Sequence, residues 1–154
     1  MEQNKANKFI FREPKKVELK SVEFSSFSHR QLVAIIKSAS YLIAADNRFT
    51  NEEKSWLWLL CSNANVSNPQ RAYEESQGMD VNEMFTSIYS MSKEQKDTVL
   101  YNWILVIQSS SNNPYPQRTF NLNSFPNEKP YFIDMARRCN IDISAFINGP
   151  VQLI

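Results

Sequence analysis

The stretch "AADNRFTNEEKSWL" (residues 44–57) contains the residues best suited to a chemical site. Asp46 and Glu53 stand seven positions apart, and Asn47 and Glu52 lie between them as further oxygen donors. Carboxylate and carbonyl oxygens are the ligands that Ca²⁺ and Mg²⁺ prefer, so this pattern predicts a weak site for a divalent cation. The acids do not follow the alternating order of an EF-hand loop.

A second interpretation of the same residues needs no metal. Thr50 and Glu53 have the spacing of a capping box, in which the Thr hydroxyl and the Glu carboxylate each accept the other residue's backbone amide. Asp46 can accept amides of its own turn or of the next helix, where the helix dipole favours negative charge. The capping interpretation is favoured, and the cation site is the alternative.

Catalytic groups are sparse along the rest of the chain. His29 is the single histidine, and a lone histidine is weak evidence for catalysis. Cys61 and Cys139 lack CxxC spacing and fall on apolar helix faces, which indicates buried small residues rather than a zinc or redox site. Two glycines are too few for a phosphate-binding loop. We therefore expect a protein that is not an enzyme.

Apolar residues recur at helical spacing, and each such stretch follows a capping signal. The signals are Ser28 with Gln31, Thr50 with Glu53, Asn68 before Pro69, Asp80 with Glu83, and Ser92 with Gln95. A last long helix is expected over 128–138, and residues 111–126 are expected to form a loop. Since no strand-like alternation is evident, the predicted class is an all-α helical bundle.

The composition predicts one domain with a polar, basic-leaning arm. Residues 1–27 lack clear periodicity and are expected as a loosely ordered arm, and residues 28–154 as the helical domain. A net charge of +1 gives no strong electrostatic reason to expect nucleic-acid binding. The sequence has neither an apolar run of membrane-spanning length nor the apolar core of a signal peptide, so a soluble cytoplasmic protein is expected.

The helices also contain an internal similarity. Residues 53–67 align with residues 128–142 at an offset of 75 positions, and the preceding helices align at an offset of 65. Asn65 and Asn140 follow the two aligned helices, where asparagine suits a left-handed helix cap. The sequence therefore predicts two pseudo-repeated helix–corner–helix units.

The first of these corners resembles the TerB-like family, whose founding member is a tellurite-resistance protein. The family pattern is Ala-Asp-Gly, a hydrophobic residue, a capping Ser or Thr, and then Glu-Glu. The corresponding residues are Asp46, Asn47 in place of the usual Gly, Phe49, Thr50 and Glu53. The resemblance covers roughly residues 28–145. It implies an all-helical bundle with an internal two-fold repeat and acidic corners that bind divalent metal.

The second corner departs from this family pattern. Ser111 and Asn112 stand where Asp-Gly is expected, so this corner cannot bind metal in the family manner. The resemblance implies a non-enzymatic module for protein–protein interaction in a stress-response system, with metal or tellurite as the candidate stress, and a weak divalent-metal sensor is the alternative. Trp56 and Trp103 lie on core stripes. Trp58 lies off the stripe and is the candidate contact for a protein partner.

Overall fold

The computed structural model describes residues 14–45, 49–109 and 119–154. Six α-helices lie in these ranges: α1 His29–Ala44, α2 Asn51–Ala64, α3 Pro69–Gly78, α4 Val81–Tyr89, α5 Lys93–Ser109 and α6 Lys129–Arg138. The strands are β1 Lys15–Val17, β2 Thr119–Phe120 and β3 Val151–Leu153, and short 3₁₀ helices span Phe24–Ser26, Leu122–Ser124 and Ser144–Phe146. The mostly helical class predicted from the sequence is confirmed, with a small sheet in addition.

The helix starts follow the predicted capping signals. Ser28 Oγ accepts the amide of Gln31 at 3.1 Å, and Gln31 Oε1 accepts the amide of Ser28 at 2.8 Å. Ser92 and Gln95 make the same reciprocal pair at 3.1 and 3.0 Å before α5. Asn68 caps α3, whose first residue is a proline. These side chains satisfy amides that have no partner within the helix, so the local sequence fixes where each helix begins.

Helix α1 forms the centre of the bundle and packs against α2, α3, α4 and α5. Trp103 of α5 is fully buried beside it, and its indole Nε1–H donates to Ser38 Oγ at 2.8 Å. The Ser38 hydroxyl in turn donates to the carbonyl of Ile35 at 2.7 Å. The edge of the indole meets Phe132 of α6, with ring centroids 6.1 Å apart. The largest side chain of the core is therefore held by both packing and a hydrogen bond.

A three-stranded sheet in the order β1-β3-β2 covers one side of the helices. β1 runs parallel to β3 with Lys15 opposite Val151, and β2 runs antiparallel with Phe120 opposite Val151. Phe120 is buried, and its ring lies 6.2 Å from the ring of Phe132. The sequence predicted no strand, and that expectation was wrong. Strands of two or three residues are too short to show a period of two.

Residues 14–27, the second half of the expected arm, are hydrogen-bonded to α5. We call this segment the N-terminal strap. The amide of Lys20 donates to Asp97 Oδ2 at 3.0 Å, and the amide of Val22 donates to Thr98 Oγ1 at 2.7 Å. Asp97 is buried in this contact. The strap is therefore packed on the helical body, while the first thirteen residues lie outside the described part of the chain.

The two asparagines at the ends of the aligned helices differ in conformation. Asn140 has a φ of 55°, and the amide of Ile141 donates to the carbonyl of Ala136 at 2.8 Å, which makes a Schellman motif. Asn65 has a φ of −150° and accepts the amide of Asn68 with its side chain at 3.0 Å. The predicted left-handed cap is thus confirmed after α6 and wrong after α2.

Within the described ranges, no helix combines the length and the apolar character that crossing a bilayer requires.

Candidate functional site

The acidic corner forms the predicted capping box at the start of α2. Glu53 is only 1% exposed, and its Oε1 accepts the amide of Thr50 at 2.8 Å. Thr50 Oγ1 accepts the amide of Glu53 at 3.1 Å and donates to the carbonyl of Ser109 at 3.1 Å. The corner thus joins the N-terminal end of α2 to the C-terminal end of α5. Asp46, the other predicted ligand, lies outside the described residues.

The divalent-cation site at Asp46 and Glu53 stays a prediction. Among residues 14–45, 49–109 and 119–154, no three His, Cys, Asp or Glu side chains are grouped closely enough to hold a metal ion. The second corner, with Ser111 and Asn112, also lies outside the described ranges. A cation at the first corner would have to share the Glu53 carboxylate with the amide of Thr50.

The candidate nucleophiles and bases come from different parts of the fold: His29 from the start of α1, Cys61 from α2 and Cys139 from the end of α6. His29 is on the surface, where its Nε2 lies 2.9 Å from Glu75 Oε2. Cys61 and Cys139 are both buried. Burial raises the pKa of the Cys61 thiol to about 11 and that of the Cys139 thiol to about 12. Both thiols are therefore protonated and poorly nucleophilic near neutral pH, as expected of structural cysteines.

The middle of helix α2 has apolar side chains all round its circumference. Six consecutive apolar residues span 56–61, and successive residues are 100° apart around a helix, so they cannot all face the core. The buried ones are Leu57, Leu60 and Cys61. Trp58 and Leu59 point outward and are 48% and 49% exposed. Trp58, which the sequence placed off the core stripe, is thus at the surface beside a second large apolar side chain.

A groove of about 690 Å³ lies between α2 and α3; we call it the aromatic groove. Its lining consists of Phe49, Lys54, Ser55, Leu57, Trp58, Cys61, Gln70 and Tyr73. Phe49 is 47% exposed and precedes α2, whereas Tyr73 comes from α3. The ammonium of Lys54 lies 5.3 Å from the centroid of the Phe49 ring. Among the described residues that line the groove, Lys54 is the one that carries a charge.

A smaller apolar hollow of about 420 Å³ lies on the other side of α2. Its lining consists of Asn51, Glu52, Ser55, Trp56 and Leu59. Ser55 borders both depressions, so the two lie on either side of one helical ridge. We call the ridge and its two depressions the α2 outer face.

The sequence pointed to one residue of this face, Trp58, and missed the rest. Phe49 and Tyr73 join the groove only because α2 and α3 pack together, which is a tertiary contact. The run of six apolar residues at 56–61 was a usable signal, because a segment of helix with no polar side must be covered by protein on more than one side.

Comparison with models of protein families, with curated proteins and with solved structures found no match to this chain.

Proposed function

We propose that this protein is a non-enzymatic docking module that binds a protein partner through the α2 outer face. The observation that carries the proposal is the pair Trp58 and Leu59, each about half exposed and flanked by two apolar depressions. Contiguous apolar surface of this kind marks interaction sites in soluble proteins. Tryptophan is also among the residues that dominate binding energy at protein interfaces.

The exposed area of Trp58 and Leu59 indicates how much binding free energy a partner would gain by covering them. A tryptophan buries up to about 250 Å², and roughly half of that surface is still exposed at Trp58. At about 25 cal/mol per Å², covering the remainder contributes roughly 3 kcal/mol, and the half-exposed Leu59 adds about 1 kcal/mol. These two neighbours therefore supply a large part of what a transient interface needs.

The TerB-like, two-unit organisation is part of the proposal. Four buried residues of α2 correspond, at the offset of 75, to four buried residues in or just before α6. The pairs are Glu53 with Glu128, Leu57 with Phe132, Leu60 with Met135, and Cys61 with Ala136. Ser38 and Trp103, which hydrogen-bond to each other, are related by the offset of 65. Elements related by a two-fold axis contact each other at equivalent positions in this way. Against a strict repeat, the backbones of α5 and α6 approach each other at few points.

The cellular setting proposed is a cytoplasmic stress-response system, and it rests on the TerB-like resemblance. The alternative function is a weak divalent-cation sensor at the corner that contains Asp46 and Glu53. Calorimetric titration of Ca²⁺ and Mg²⁺ into the wild type and the Asp46→Ala variant separates the two. Heat in the wild type that disappears in the variant would favour the sensor, and no heat at millimolar ion would exclude it.

The docking proposal is tested by site-specific photocrosslinking in the native cell. A photoreactive phenylalanine replaces Ser55, which lies between the two depressions, and in a matched control it replaces Tyr131, an exposed residue of α6. We expect a discrete crosslinked partner from position 55 that is lost when Trp58→Ala and Leu59→Ser are added. Equal crosslinking from both positions, or a yield that the double variant leaves unchanged, would refute the proposal. Circular dichroism checks that each variant is folded.

A further inference from the structure

We infer that the partner of the α2 outer face is an amphipathic helix that carries an acidic side chain beside its apolar residues, with the carboxylate placed at Lys54. This inference rests on the docking function proposed above and specifies the chemistry of the partner. It is carried by the shape of the face and by the charges at its two depressions.

The dimensions of the face match a helix. The two depressions lie on opposite sides of the α2 ridge, so the face is about as wide as one helix, roughly 10 Å. Its residues run from Phe49 and Asn51 to Cys61, which is about three helical turns or roughly 15 Å. An apolar helix face lies in grooves of this kind through anchors spaced three or four residues apart. A single small amphiphile would cover one depression and leave Trp58 or Leu59 exposed.

The charge of the aromatic groove determines the sign of the charge that the partner should carry there. Lys54 forms no ion pair with any of the described residues, and its ammonium is held over the Phe49 ring. The other seven described residues of the lining are uncharged. Although an aromatic-lined groove can bind a cation, here Lys54 already occupies the face of Phe49 and repels a second positive charge. A carboxylate at this position is therefore the complementary group.

The charge of the second depression determines toward which side of the face the acidic residue of the partner helix points. Glu52 lines the hollow on the far side of Ser55 from Lys54. A partner acid placed over the hollow would meet Glu52 and be repelled, whereas the same acid over the aromatic groove meets Lys54. The face therefore prefers a helix whose acidic side lies toward α3.

A second copy of this chain fits the face less well. In a two-fold antiparallel pairing of α2 helices centred on Trp58 and Leu59, position 54 of one copy meets position 63 of the other, and position 52 meets position 65. Those positions hold Asn63 and Asn65, so Lys54 would gain no carboxylate and Glu52 no cation. An acidic helix from a different protein supplies what a second copy lacks.

The inference is tested with a displayed library of helical peptides that is randomised on one face and selected on the full-length protein. Selected peptides should share apolar anchors and an acidic residue at a fixed spacing from them. Each is then synthesised with a fluorescent label, with Glu or with Gln at the acidic position, and titrated into wild type, Lys54→Gln and Trp58→Ala. The Glu→Gln change should weaken binding to the wild type about two- to fivefold and have no effect on Lys54→Gln. Trp58→Ala should weaken binding roughly thirtyfold.

The outcomes separate the inference from the docking function. Two results overturn the acidic-helix inference and leave the docking function standing. In the first, the binding of the selected peptides depends on Trp58 but shows no preference for an acidic residue. In the second, the effect of the Glu→Gln change in the peptide persists in the Lys54→Gln variant. Binding that is indifferent to Trp58 speaks against both. Sedimentation velocity provides a further arm, because a dimer that Trp58→Ala dissociates would identify a second copy as the occupant and overturn the inference. Labelled dodecanoate that saturates the groove, when no peptide is selected, would also overturn it.

Discussion

Replacing Ser38 with alanine removes the acceptor of a fully buried hydrogen bond between two side chains of the bundle. The Trp103 Nε1–H donates to Ser38 Oγ at 2.8 Å, and both residues are fully buried. Ser38→Ala leaves this N–H without a partner in a site from which water is excluded. An unsatisfied buried donor costs about 1–3 kcal/mol, so we expect a loss of about 2 kcal/mol in the free energy of unfolding.

The assay is urea unfolding followed by circular dichroism at 222 nm. A domain of this size has a urea dependence of roughly 2 kcal/mol per molar, so the expected loss lowers the unfolding midpoint by about 1 M. A double-mutant cycle supplies the control. In a Trp103→Phe background the donor is already absent, and Ser38→Ala should then cost less than about 0.5 kcal/mol. An equal loss in both backgrounds, or a loss below about 0.5 kcal/mol in the wild type, would refute the reasoning.

Three further predictions concern the strap, the helix caps and the thiols. Asp97→Ala should release the N-terminal strap and speed tryptic cleavage within it at least several-fold, read by mass spectrometry, because the amide of Lys20 loses its charged acceptor. Asn140→Gly should be neutral or stabilise the fold by up to about 1 kcal/mol, since its left-handed backbone suits glycine, whereas Asn65→Gly should destabilise it; urea unfolding measures both. Because burial raises the pKa of Cys61 and of Cys139 to about 11 and 12, the native state keeps thiol protons that the unfolded chain loses. Stability should therefore fall as the pH rises from about 8.5 toward 11, as followed by thermal unfolding.

Each of these predictions has an opposing result. Unchanged cleavage in Asp97→Ala would mean that the strap is held mainly by its apolar contacts. Equal effects of glycine at Asn140 and Asn65 would contradict the difference in backbone conformation. A Cys61→Ala, Cys139→Ala double variant should lose the alkaline decline; if the decline persists there, other groups cause it.

Most helix starts could be predicted because each depends on a capping side chain two or three positions before the amide that it accepts, whereas α6 begins without a side-chain cap. The reciprocal bonds of Ser28 with Gln31 and of Thr50 with Glu53 lie entirely within such short segments. The burial of Trp103 followed from the helical period in the same way. Local chemistry and periodicity are therefore enough to place most of the helices.

Most of the features that the sequence did not predict depend on distant residues. β1 pairs with a strand at the other end of the chain, and the strap is held by Asp97 and Thr98, more than seventy positions away. The aromatic groove needs Tyr73 from α3 beside Trp58 of α2. Single-sequence patterns contain no information about such long-range pairs. The asparagine after α2 is a local exception, because the side chain of Asn65 forms a turn with Ser67 and Asn68, which follow it closely.

The parallel pairing of β1 with β3 constrains the order in which parts of the fold can form while the chain is being synthesised. At roughly 5–20 residues per second, the ribosome adds Val151 roughly 7 to 27 seconds after Lys15, and until then β1 has no β3 to pair with. Asp97 and Thr98 emerge well before that, so the nascent strap can fasten to α5 first. Closing the sheet then follows the attachment of the strap, and a growing chain that stalls before residue 151 should present a bundle whose sheet is incomplete.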